Sequence, residues 1–323
     1  MNKIKKVNYV STVILVVALF IVLRLMLNFG IINRYQSSVL NFLCINIILA
    51  TSLNITVGCL GQINLGHAGF MSIGAYAAAL FTKSGILPGL PGYFVGLIIG
   101  GILAGIIGFL IGIPALRLKG DYLAIITLAF GEIIRVLIEF FKFTGGAQGL
   151  KSIPWMQDFN IIYFLMVLSV AFMYSLMTSR HGRAVLAIRE DEIASEASGI
   201  NTTYYKTFAF IISAVFAGIA GGMFAHNIGI IVPKQFDYNY SINFLVMVVL
   251  GGMGSFTGSI ISAIVLTILP EFLRSFADYR MIIYSLVLIL MMIFRPTGLL
   301  GRKEFSLTNI TKKFFGRKEE VKS

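Results

Sequence analysis

Two groups of polar residues interrupt an otherwise apolar chain, and their spacing limits what they can do. Glu132, Arg135 and Glu139 stand three and four positions apart, so a helix puts all of them on one face as a ladder of alternating charge. In lipid such charges are expensive unless paired or wet, so the ladder must face protein or water. It reads as a self-neutralising structural ion pair or as the polar lining of a pathway. The second group is Gln62, Asn64 and His67 in GCLGQINLGHAGFMSIG, from Gly58 to Gly74, where five glycines separate two apolar stretches. A broken helix or tight loop survives at membrane depth only where it is buried in protein or lines a cavity, which makes the stretch a candidate part of a pathway. A cytoplasmic turn with packing glycines is the other reading.

Other chemistry is not assembled. There is no G-x-x-x-x-G-K-[ST] phosphate loop, so ATP is not bound by that route. His67, His181 and His226 are far apart, and neither HExxH nor a paired Cys/His spacing offers a metal site. Cys44 and Cys59, in or beside apolar runs without a CxxC spacing, read as reduced structural thiols. No G-x-S-x-G elbow or carboxylate dyad appears, and an enzyme using Asp121 or His67 as acid or base is unsupported. No metal and no cofactor is expected.

The elements that position these residues follow from composition. Of 323 residues 57% are hydrophobic and 12% charged, with mean hydropathy +0.88, too little polar surface to cover a soluble globule. Runs of about 18–22 nearly uncharged residues recur, each long enough to cross a hydrocarbon core of about 30 Å as a helix. They lack the alternation of barrel strands, so the fold class is all-α: a polytopic helical membrane protein with eight to ten spans. The first run, Val10 to Leu27, reads as an uncleaved signal anchor with Arg24 snorkelling outward. Gly96, Gly100, Gly101, Gly105, Gly108 and Gly112, and later Ala214, Gly218 and Gly222, have the small-residue spacing of close helix packing. Trp155 falls in an outer loop and His226 at the outer end of a span, both as interfacial residues. GGMGSFTG, Gly251 to Gly258, joins either two tilted spans or a re-entrant pair.

The net charge of +12 is distributed by side, which argues against nucleic acid as a partner. Seventeen Lys and Arg fall on the side of the termini: three at the N-terminus, two after the fourth span, four in the segment 179–206 and eight in the tail. Seven fall on the other side. The positive-inside rule then places both termini in the cytoplasm.

Ser179 to Lys206 is the one long polar segment inside the chain, and it lies on that cytoplasmic side. Gly182 to Glu190 forms a short helix with Ala184 and Ile188 on one face. Asp191 caps a second helix carrying Glu192 in its first turn, and Gly199 followed by Ile200 ends it as a Schellman motif. Ala184, Ala187, Ala194 and Ala197 permit close approach of a partner, whose register Arg183, Arg189, Glu190 and Glu196 can fix. A docking element fits this pattern better than a solvated loop.

The sequence resembles the M-type (LivM-like) permease subunits of branched-chain amino acid (LIV-type) ABC importers. The resemblance lies in LNITVGCLGQINLGHAGFMSIGAYAAAL from Leu53, LRLKGDYLAIITLAFGEIIRV from Leu116, RHGRAVLAIREDEIASEASGI from Arg180, KTFAFIISAVFAGIAGGMFA from Lys206 and VLGGMGSFTGSIISAIVL from Val249. It spans about residue 40 to 300, in order. It implies a transmembrane permease domain over 1–295, with 179–206 as a cytoplasmic coupling loop, and a basic cytoplasmic tail over 296–323. It implies as partners an H-type permease subunit, two ABC ATPase subunits, an extracytoplasmic solute-binding protein and membrane lipid, in a bacterial cell membrane. The coupling residues would be Gly182, Arg183, Ala187, Arg189, Glu190, Asp191, Ala194, Glu196, Ala197 and Gly199. The EAA-G spacing of maltose-type permeases is absent, since Glu196 to Gly199 are adjacent. An ion-coupled secondary carrier using Glu132, Arg135 and Glu139 is the rival reading.

Overall fold

A computed structural model describes residues 3–276 apart from 31, and a discontinuous set between 279 and 301. Six of the thirteen residues of the expected last span, 282–294, and nearly all of the tail, 296–323, lie outside the described residues. Helix α1, Lys3–Asn28, belongs to a compact unit distinct from Ser38–Arg302. The larger unit carries both groups of polar residues and the segment 179–206.

Its elements are helical, and the only β pairing among the described residues is an isolated bridge between Leu150 and Ile231. Helix α2 covers Arg34–Asn54 and runs on as a π-turn over Ile55–Cys59. After a non-helical stretch come α3 (His67–Lys83), α4 (Leu90–Ala115), α5 (Asp121–Phe140) and α6 (Phe159–Thr178). Two short helices, α7 (Arg180–Glu190) and α8 (Glu192–Ala197), precede α9 (Thr202–Ile228), α10 (Tyr238–Gly251) and α11 (Phe256–Phe272). Among the described residues four stretches are long and apolar enough to cross a membrane: α2 with its π-turn, α4, α6 and α9. The fold is that of a polytopic all-α membrane protein.

Several of these helices begin where an Asp, Asn or Ser side chain replaces the missing acceptor of the first turn. Asp158 accepts from the Asn160 amide at 2.9 Å, Asn201 from Tyr204 at 3.0 Å, Asp237 from Tyr240 at 3.1 Å and Ser255 from Gly258 at 3.1 Å. Within α2 and its π-turn the hydroxyls of Thr51, Ser52 and Thr56 donate back to carbonyls three or four residues earlier. This local bonding competes with the helical ladder. The ladder then widens, and the Leu60 amide reaches the Ile55 carbonyl at 3.0 Å, an i→i−5 bond.

The tightest packing is among α3, α4 and α9, and it follows the small residues. A Cβ on Gly74 would lie 2.0 Å from the Gly218 carbonyl oxygen, and one on Gly100 would lie 2.7 Å from that of Gly74. Three backbones thus touch where the spacing on α4 and α9 predicts close approach. Cys44 and Cys59 are buried thiols that form no disulfide.

His226 departs from expectation. It is buried at the end of α9, with Nδ1 2.7 Å from the Gly222 carbonyl oxygen and Nε2 2.9 Å from Thr82 Oγ1. The loop before α6 covers it, the Met156 amide donating to the His226 carbonyl at 3.0 Å. Trp155, on the same loop, is exposed.

Candidate functional site

The polar segment folds as two helices. Ser179 accepts from the His181 amide at 3.2 Å and donates to the Leu176 carbonyl at 2.6 Å, so α6 turns into α7 with no linker. Gly182 sits in that elbow, where a Cβ would lie 2.0 Å from the Met177 carbonyl oxygen. The inner stripe of α7 is Gly182, Val185 and Ile188; the expected pairing of Ala184 with Ile188 misses by one residue, and Ala184 is only half-buried. Asp191 Oδ1 accepts from the Ala194 amide at 2.9 Å. At the far end Gly199 takes φ +84°, its amide reaches the Glu196 carbonyl at 2.9 Å, and Ile200 reaches Ser195 at 3.1 Å, completing a Schellman motif.

Glu192 ties this pair to the rest of the protein. Its Oε1 lies 2.6 Å from Lys206 Nζ at the start of α9, and its Oε2 3.3 Å from Lys119 Nζ before α5. The hydrogen bond from Lys206 holds the Glu192 carboxyl below the usual carboxylate range, with Lys119 assisting.

Of the residues expected to couple to a partner, Arg183, Glu190, Asp191, Ala194, Glu196, Ala197 and Gly199 are exposed. Ile193 is 79% exposed, an aliphatic side chain held out on a polar helix. Ala187 is half-buried and Gly182 buried. Arg189 turns inward, and its Nη1 donates to the Gly58 carbonyl in the π-turn.

The second group forms a centre in the interior. Residues 60–66 are non-helical and α3 restarts at His67; Gly61 and Ile63 in this break are exposed, and Gly66 is buried. His67 and Asn64 are buried and Gln62 half-buried. His67 Nε2 lies 3.0 Å from Ser52 Oγ, and Asn64 Oδ1 accepts from the Gly66 amide at 2.9 Å. Asn64 Nδ2 and Gln62 Oε1 have no partner among the described residues. Thr127 Oγ1 accepts from the Leu65 amide and Ser241 Oγ from the Ala68 amide, each at 3.0 Å. Neither hydroxyl is signalled by the sequence, because each acts only through a distant backbone amide.

Glu132 and Arg135 pair at 2.7 Å, and Arg135 reaches Glu139 at 3.4 Å, as the spacing predicts. The other oxygen of Glu132 accepts from the Tyr238 amide, the first of α10, at 3.0 Å. Glu132 stands eleven residues into α5, about 16 Å along it, so α10 begins at the depth of the middle of α5. Leu65, Gly69, Gly131, Glu132, Tyr238 and Ser241 line one narrow cleft. The broken segment contributes Leu65 and the charge ladder Glu132; Gln62, Asn64, His67, Arg135 and Glu139 do not line it.

A helical membrane protein with a broken central helix and a folded helix pair between two spans is the class these features define. Residues 35–295 match the model of the branched-chain amino acid transport system permease component, and the chain belongs to that family. It is 38% identical over 304 residues to the high-affinity branched-chain amino acid transport system permease protein LivM of Salmonella typhimurium, covering 83% of this chain and 71% of that one. It is also 38% identical to LivM of Escherichia coli over 86% of this chain and 73% of that protein. LivH of Escherichia coli is 26% identical over 80% of this chain and 91% of its own. No solved structure matches.

Proposed function

We propose that the chain is one permease half of an ATP-driven importer carrying leucine, isoleucine, valine or a related small solute into the cytoplasm. Its partners are an H-type permease, two ATPase subunits and a solute-binding protein. Both termini are cytoplasmic, following the Lys and Arg distribution. The sequence has no phosphate loop, so hydrolysis belongs to the ATPase partners and this chain is not itself the enzyme.

The observation that carries the reading is the outward face of α7 and α8. It holds Ile193, 79% exposed, and Arg183, Glu190 and Glu196 are exposed on the same helix pair. An exposed aliphatic anchor on a helix pair that also exposes charges is the anatomy of a docking surface with electrostatic register. Ile193→Asp is expected to abolish co-purification of the ATPases with an otherwise intact permease. Undiminished association and leucine uptake would sink the reading.

The solute pathway runs past the cleft between the broken segment and α5, with Gln62, Asn64, His67, Glu132 and Arg135 as its polar residues. The unpartnered amide atoms of Gln62 and Asn64 call for water or solute, which supports that route. The rival reading, an ion-coupled carrier working through Glu132, Arg135 and Glu139, has no support from relatives that are transport-system permease components.

A further inference from the structure

The sequence groups Arg189 with the surface charges of the coupling segment, yet it points the other way. Its Nη1 donates to the Gly58 carbonyl, in the π-turn that ends α2. The stem of the side chain lies along Gly61, where a Cβ would come within 2.9 Å of Arg189 Cγ. The guanidinium also lies against Gly254, where a Cβ would come within 2.8 Å of Nη1. Gly254 belongs to the turn between α10 and α11. That turn is fastened to α2 independently: the Gly254 amide donates to Asn54 Oδ1 at 2.9 Å, and a Cβ on Gly58 would lie 1.8 Å from that same oxygen and 2.4 Å from the Gly254 nitrogen. Three glycines thus leave a socket that one arginine of α7 enters, and the socket is made by the π-turn after α2 and the turn between α10 and α11.

A planar guanidinium in such a socket is directional. It accepts no bond, it stays charged, and its several donors tie whichever carbonyl it meets to the helix that carries it. The same α7 presents the docking face outward. A displacement of α7 by a partner therefore moves Gly58 and Gly254 with it, and with Gly58 the non-helical residues 60–66 that lead into the cleft.

We infer that Arg189 is the positioning residue that transmits movement of the α7–α8 pair to the broken segment of the membrane domain, by gripping the π-turn at Gly58 and the Gly254 turn together. The inference rests on the proposed docking role of α7 and α8. It differs from that role in predicting loss of coupling without loss of docking.

The test uses the complete transporter, the full chain with its partner permease, ATPases and binding protein, in proteoliposomes with radiolabelled leucine as probe. Arg189→Met keeps the apolar stem and removes the donors. It is expected to retain the ATPases and their ATP hydrolysis, while leucine moved per ATP falls by about tenfold or more, within the span of ordinary coupling energies. Arg189→Lys restores part of the ratio. A normal leucine-to-ATP ratio in Arg189→Met overturns the inference, and so does loss of the ATPases or of assembly, since either would make the contact merely architectural. Retention of the ATPases and of uptake by Ile193→Asp, measured in parallel, overturns the docking role instead.

Discussion

Glu192 holds two ammonium groups that come from different parts of the chain, and its acidity reports on that arrangement. Its folded-state carboxyl titrates below the unfolded one because Lys206 and Lys119 favour the charged form. The stabilisation is fully present above the unfolded carboxylate range of ~4.3 and disappears as pH falls through the lower folded value. Glu192→Gln is therefore expected to lose stability at neutral pH and to show a weaker further loss on acidification than the parent. Thermal unfolding of the purified chain across that pH range checks it, and parallel profiles for both proteins would refute it. The sequence identifies Glu192 as a first-turn residue after its Asp cap, which is a local fact. Its partners lie beyond the helix pair or at its exit, so no spacing rule finds them. Arg189 shows the same limit more sharply: its helix is legible, but whether a long side chain faces out or in depends on glycines far along the chain.

Helix boundaries in the α7–α8 pair are the most legible elements, because capping chemistry is written in adjacent residues. Asp191 and Gly199 mark the start and end of α8 within about a residue or two of the observed bounds. Gly199→Ala forces a β-carbon into a left-handed conformation at φ +84°, and is expected to cost about 1 kcal/mol. Faster amide exchange confined to residues 192–200 would show it, and unchanged exchange would contradict it. Depth is not legible. The sequence leaves Ser241 to Leu273 as two spans or a re-entrant pair, and gives no sign that α10 begins beside Glu132. With fourteen residues α10 is about 21 Å long, short of the hydrocarbon thickness, and a backbone bond to a half-buried carboxylate fixes where it starts. The inner stripe of α7 is missed by one position for a related reason: a helix of eleven residues carries too few apolar positions to fix its rotation.

At the scale of the molecule, the packing of α3, α4 and α9 is readable as spacing on α4 and α9, but Gly74 on α3 reads in sequence as the end of a broken segment. The structure makes it the meeting point of all three backbones. A side chain there has nowhere to go, since the atoms it meets are main chain and cannot change rotamer. Gly74→Leu is expected to prevent accumulation of a monodisperse protein. The same change at Gly85, on a loop with open space around it, meets only the strain of a left-handed φ and leaves yield largely unaltered. Size-exclusion profiles of the two variants decide the point, and a monodisperse Gly74→Leu protein would contradict this account of the core. His226 belongs to the same lesson. An apolar span ending in histidine suggests an interface, yet the loop before α6 folds over it and makes it interior.

The three-backbone core also sets a schedule. Helices α3 and α4 follow one another directly, but the helix that fills the groove between them ends at residue 228, more than a hundred residues after α4 closes at residue 115. At about 5–20 residues per second of synthesis, that groove stands vacant for roughly 5–20 seconds while α5, α6 and the cytoplasmic pair are made. A row of bare glycine backbone must wait in the membrane for its third strand of protein, so the newborn chain is most vulnerable to a wrong neighbour, or to quality-control proteolysis, in the interval before α9 arrives.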